Sequence, residues 1–152
     1  MDLVLDASAT LAWLVRRVDP IEDQLADEVL RYILPRDAAV PALWFPEVAN
    51  GVLVAERRGG ITVSTSASFL SMVSALPIVE DATRPSAVQT TVLTLARAYK
   101  LTAYDAIYLE LVLRTGRELA TFDGQLADAV RKAGGRVFGD PQSDGSFFYR
   151  HA

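Results

Sequence analysis

Short apolar runs alternate along this chain with longer stretches in which apolar residues return every three or four positions, the signature of strands separated by helices. Leu3-Val4-Leu5 reads as a buried strand. The stretch SATLAWLVRR then reads as a helix carrying Ala9, Ala12 and Trp13 on one face near Leu14. Pro20 opens a second helix, whose Ile21, Leu25, Val29 and Ile33 recur at helical spacing; Leu25, Val29 and Ile33 suit either covering a sheet or offering a groove to a partner helix. Ala38-Ala39-Val40 is a second short strand, and Pro46 and Gly59-Gly60 delimit a third helix. A helix over residues 63–75 and a strand at Ile78-Val79 follow. Pro85 starts the next helix, and another runs from Tyr104 to Arg114. Leu119 to Thr121 is a strand, QLADAVRKA a helix ended by Gly134-Gly135, and RVF a last strand. Strands that alternate with helices imply an α/β domain, a central parallel sheet with helices on both faces. The tail from residue 139 to 152 is rich in Gly, Pro, Ser and Asp; it is expected to be loosely ordered, or to pack through Phe147, Phe148 and Tyr149. No internal repeat or interdomain linker interrupts residues 1–138.

Composition narrows this picture. A chain of 152 residues fits one domain with one sizeable core, and 51% hydrophobic residues exclude disorder of its body. That apolar content suits either a well-filled α/β core or a partner surface. The absence of cysteine excludes disulfides, thiolate metal sites and cysteine nucleophiles. MDLVLDAS lacks a basic leader and no apolar run is long enough to span a bilayer, so the expected address is the cytoplasm, without membrane association. The net charge of -4 argues against passive coating of nucleic acid, yet not against an enzyme whose acids are concentrated at a metal.

Four acids sit at expected helix starts: Asp6, Glu47, Asp105 and Asp123. Capping explains each one singly, because free N–H groups and the helix dipole favour negative charge there; Thr102 with Asp105 reads as a capping box, and Asp123 as an N-cap. Jointly they mean more. In an open parallel sheet the strand ends and following helix starts share one edge, where ligands bind. Carboxylates gathered there repel, which protons or a cation must relieve, and oxygen-only donors suit Mg²⁺ or Mn²⁺ rather than zinc. Ser8, Thr121 and Asn50 lie close in sequence to Asp6, Asp123 and Glu47, and each is placed to hold a carboxylate in one rotamer; Ser8 equally suits an N-cap.

LDASATLAW, FPEVANGVL, LTAYDAIYLELV and LATFDGQLADAV resemble, in this order and spacing, the sequence blocks of PIN-domain proteins, above all the VapC-type toxins of bacterial toxin–antitoxin pairs. The resemblance covers residues 1 to about 138 and implies a PIN-like three-layer fold and nuclease domain. It matches Asp6, Glu47, Asp105 and Asp123 to the family's acidic metal-site positions, Ser8 and Thr121 to the hydroxyls beside the first and last acids, and Asn50 to a polar position after the Glu. It implies cleavage of RNA with Mg²⁺ or Mn²⁺, a homodimer and a cognate antitoxin. Gly124-Gln125 departs from the pattern, since relatives often carry a basic residue there.

The chemistry stands beside the resemblance. Phosphodiester hydrolysis needs an activated water and stabilised negative charge, and one or two divalent ions held by carboxylates supply both. His151 is the sole histidine, so a two-histidine mechanism or a Ser-His-Asp triad lacks parts. No GxxxxGK[ST] loop occurs. A dehalogenase-like phosphatase would want an Asp where Ser8 stands, and a receiver domain a lysine near Thr121-Phe122-Asp123. Arg16, Arg57 and Arg114, with Arg17, Arg58 and Arg117 beside them, are the candidate RNA contacts, although solvation or helix-end placement explains each. Trp13, Trp44, Phe45 and Tyr108 read as core or interface. The alternative to an enzyme is a catalytically inactive PIN-like module that binds RNA or protein and keeps the acids as caps.

Overall fold

The computed structural model describes residues 3–141. Its elements are β1 (Leu3–Leu5), α1 (Ala7–Leu11), α2 (Pro20–Ile33), β2 (Ala38–Val40), α3 (Trp44–Arg57), α4 (Val63–Ser74), β3 (Ile78–Glu80), α5 (Pro85–Tyr99), α6 (Ala103–Thr115), β4 (Glu118–Ala120) and α7 (Gly124–Lys132). The four strands form one parallel sheet in the order β3-β2-β1-β4. Side chains alternate across a strand, so one strand feeds two cores. Leu3 and Leu5 join Val29, Ile33, Val40 and Trp44 on one face, while Val4 joins Tyr108, Leu109, Val112, Leu126 and Val130 on the other. The chain is therefore the three-layer α/β fold its pattern implies. Val29 and Ile33 are buried and Leu25 packs against them, so this stripe of α2 covers the sheet.

Local chemistry sets the helix starts. Asp19, Thr62, Thr102 and Asp123 each accept a backbone N–H two or three residues on, and Pro20 and Pro85 occupy first-turn positions that need no donor. Two expectations need correction. The first helix does not extend to Arg17 but stops at Leu11. Trp13 and Leu14 bond back three residues, to Thr10 and Leu11, and the tightened turn lets the Trp13 indole donate to the Ala26 carbonyl of α2. Tertiary packing overrides the helical pattern there. The segment RVF forms an isolated bridge, Leu119 with Val137, rather than a strand; Gly139 at φ +92° turns the chain away directly after Phe138. The first residues of the expected tail are tied down, because Asp140 accepts two hydrogen bonds from Arg131 at 2.8 and 2.9 Å. Phe147, Phe148, Tyr149 and His151 lie outside the described residues. Among the described residues no helix is long and apolar enough to cross a membrane.

α5 ends on Lys100, whose φ of 54° makes it the one non-glycine residue in the left-handed region among those described. A Cβ is strained there and glycine is not. Lys100→Gly is expected to raise stability by up to about 1 kcal/mol, less the entropy of a more flexible unfolded chain. A urea midpoint at or below that of the parent protein would contradict this.

Candidate metal centre

β1 and β4 are hydrogen-bonded neighbours, so the loops leaving their ends meet. Asp6 follows β1 and is the N-cap of α1, but its side chain makes no capping bond. Ser8 Oγ and Thr121 Oγ1 both donate to its Oδ2, each at 2.6 Å. Those hydroxyls are themselves placed by the β4–α7 loop. Ser8 Oγ accepts the Phe122 N–H at 2.9 Å and Thr121 Oγ1 accepts the Asp123 N–H at 3.0 Å. Asp6 is thus locked to the loop that presents Asp123. Ser8, also a candidate N-cap, lies inside α1 and serves Asp6 instead. Asp123 keeps its capping role, with Oδ1 accepting the Leu126 N–H at 3.0 Å.

Glu47 and Asp105 arrive from the first turns of α3 and α6. Asp105 is positioned through its backbone, whose N–H donates to Thr102 Oγ1 at 3.1 Å. Glu47 is held by its side chain: the Tyr108 hydroxyl donates to Oε1 at 2.7 Å. Tyr108 is buried, one turn after Asp105 on α6, and reads from sequence as core or interface; its spacing of three from Asp105 is the signal that would have placed it on the site face. Asn50 is exposed, and no hydrogen bond joins it to Glu47 among the described residues, so it does not orient that carboxylate here.

Electrostatics link the four acids. Asp6 has its carboxyl pKa raised above the usual range, first by burial and also by Asp123, against the pull of the Ser8 and Thr121 bonds. Glu47 is raised by burial and by Asp6 and Asp105, opposed by the Tyr108 bond. Asp105 is raised by burial, Asp123 and Asp6. Burial and these neighbouring carboxylates push the Tyr108 phenol far upward, so it stays a proton donor. Among the described residues no group of three or more His, Cys, Asp or Glu side chains is arranged so as to hold a metal ion. The acids form a looser set that feels its own repulsion, and protons or a hard cation would relieve it. Their all-oxygen donors fit Mg²⁺ or Mn²⁺.

The candidate RNA contacts fare differently. Arg114 sits nine residues beyond Asp105 on α6, roughly 14 Å along the axis. It is spent on Asp81 and Glu110, both at 2.7 Å. Arg57 ends α3, roughly 15 Å from the turn that carries Glu47. Arg16 pairs with Asp23 at 2.9 Å. None of the three contacts the acids. The cation that reaches their neighbourhood is Arg17, whose guanidinium lies 4.8 Å over the Phe122 ring, next to Asp123, while pairing with Glu22 at 2.8 Å. Trp44 is buried with its indole donating to Thr10, whereas Phe45 is 48% exposed.

Comparison with known proteins gives two kinds of likeness. Residues 3–132 match the family described as PIN domain. The crystal structure of PAE2754 from Pyrobaculum aerophilum superposes with a TM-score of 0.60 at 24% identity, over 85% of this chain and 79% of that one. That of FitAcB from Neisseria gonorrhoeae gives 0.60 at 14% identity, over 90% of this chain and 96% of that one. At such identities the likeness is one of fold. No curated protein matches the sequence.

Proposed function

Because the chain belongs to the PIN-domain family, a nuclease fold, we propose that it is a metal-dependent endoribonuclease and the toxin of a toxin–antitoxin pair, cutting single-stranded or looped RNA. The observation that carries the enzymatic reading is the set of four carboxylates, delivered by four separate helix starts to one edge and each raising, or raised by, another. Caps alone would not need to share a field. The toxin reading, with a cognate antitoxin and a homodimer as partners, rests on the resemblance of the sequence blocks. Residues 1–138 form the nuclease domain in this proposal.

Asp6, Glu47, Asp105 and Asp123 would hold Mg²⁺ or Mn²⁺, which supplies Lewis-acid stabilisation of phosphate charge and lowers the pKa of a bound water. The protein's own part is placement. The two hydroxyls on Asp6 leave it one orientation, and the same hydroxyls fix the backbone that carries Asp123. Ser8 and Thr121 are therefore committed as donors to a carboxylate and do not serve as nucleophiles, which leaves water as the attacking group. Looped bases can splay and be read, whereas a duplex hides them. Arg57 and Arg114 lie along their helices away from the acids, so Arg17, paired with Glu22 but stacked on Phe122 next to Asp123, is the better candidate for a phosphate contact.

The test is cleavage of a structured RNA with exposed loops, in Mn²⁺ and in EDTA. Cleavage is expected only with the divalent ion and should weaken as monovalent salt rises. Equal cutting in EDTA, or turnover of a small phosphomonoester by Asp105→Ala protein, would remove the proposal.

A further inference from the structure

Glu47 differs from the other three acids in how it is held. Asp6 is gripped by hydroxyls on its own and the neighbouring strand's loop, and Asp123 by the first turn of its own helix. Glu47 lies on α3, has a longer and more flexible side chain, and stands half-buried at the rim. Its side-chain partner comes from 61 residues away, the hydroxyl of Tyr108 on α6. The ring of Tyr108 is 1% exposed and is wedged into the core beside Val4, Leu109 and Leu126, so its oxygen cannot wander. One phenol therefore holds the Glu47 carboxylate while taking its own position from the helix that carries Asp105.

We propose that Tyr108 is the positioning residue for Glu47, its hydroxyl holding Oε1 so that Oε2 is presented to the metal. This rests on the nuclease reading above. Without the phenol, Glu47 would sample several rotamers in the field of Asp6 and Asp105, which drives it outward into solvent, and the metal would have to gather it at each binding event. A buried tyrosine does need a partner for its O–H, and a purely structural bond would look the same in a static view. The two roles part company in metal affinity.

The experiment is Mn²⁺ titration by calorimetry of the parent protein, Tyr108→Phe, Glu47→Gln and the double variant. Tyr108→Phe is expected to weaken Mn²⁺ binding by about ten- to a hundredfold, the usual cost of losing a group that orients a ligand. It should have no further effect once Glu47 is already replaced by Gln. If Tyr108→Phe is less stable, the Mn²⁺-induced rise in Tm, taken from each variant's own metal-free Tm, gives the same comparison. Affinity within twofold of the parent, or an equal loss in the Glu47→Gln background, overturns the assignment. A parent protein that binds no Mn²⁺ and cuts no RNA overturns the nuclease reading itself, and this assignment with it, which separates the two failures.

Discussion

Asp105→Ala is expected to abolish RNA cleavage, by at least about a hundredfold, while the protein stays folded. Losing a group that merely orients a ligand costs roughly 10–100-fold, so losing a ligand sets a higher floor. The fold should tolerate the change because Asp105 is anchored by its backbone N–H on Thr102, a bond that alanine keeps. Its carboxylate is half-buried and pushed by Asp123 and Asp6, so removing it relieves repulsion. Alanine is also the best helix former, which offsets the loss of a first-turn acid that the helix dipole favours and that pairs with Thr102. Cleavage assays beside circular dichroism melts check both halves. An Asp105→Ala protein that cuts like its parent would mean that the acids are caps and the centre lies elsewhere.

Divalent metal should stabilise the protein strongly, and more so at neutral than at acid pH. Asp6, Glu47 and Asp105 all have carboxyl pKa values raised by folding. A group with a raised folded pKa contributes stability while protonated, below its unfolded value near 4, and loses it as pH climbs through the folded value. At neutral pH the metal-free protein therefore carries the cost of burying these charges, and of their mutual repulsion, in full, and there a cation has most to relieve. Mn²⁺ at a hundred times its Kd contributes about 2.7 kcal/mol, or about 5–10 °C in Tm for a domain of this size. Near pH 4–5 the gain should shrink, because protons compete for the same oxygens. Asp6→Asn is the sharper control. Its amide oxygen can still accept from Ser8 and Thr121, so the metal-free variant should match or exceed its parent in Tm and gain little from Mn²⁺. A Tm below that of the metal-free parent would show that the Asp6 charge itself is structural, and an unchanged parent Tm on adding Mn²⁺ would argue against the metal site.

Much of this was legible in the order of residues, and what was not has physical causes. The strand at Leu3 and the helices opening at Pro20 and Pro85 follow from local chemistry, since buried runs and fixed-φ residues act over a few positions. The start positions of Asp6, Glu47, Asp105 and Asp123 are local facts of the same kind, and their gathering at one edge belongs to the proposal above. The early stop of α1 is not local: it depends on the Ala26 carbonyl that receives the Trp13 indole. Asn50 was placed near Glu47 by spacing, yet a turn of helix sets only direction, and it points to solvent. Arg114 shows the same limit, because its partner Asp81 lies 33 residues away in sequence. Tyr108 shows the converse limit, since burial and usefulness to a site coincide in one side chain and pattern reports only the burial.

The strand order has a consequence for the birth of the protein. β1, synthesised first, lies in the middle of the sheet and waits for β4, the last strand, to cover its other side. Asp6 cannot be gripped until Thr121 is made, and Asp123 comes later still. At about 5–20 residues per second, roughly 6–23 s separate the synthesis of Asp6 from that of Asp123. Throughout that interval a nascent chain on the ribosome is surrounded by RNA yet holds an incomplete set of carboxylates. If the chain is the nuclease proposed above, the full set of acids and closure of the sheet arrive in one late step, and a product truncated before Asp123 is expected to be inactive.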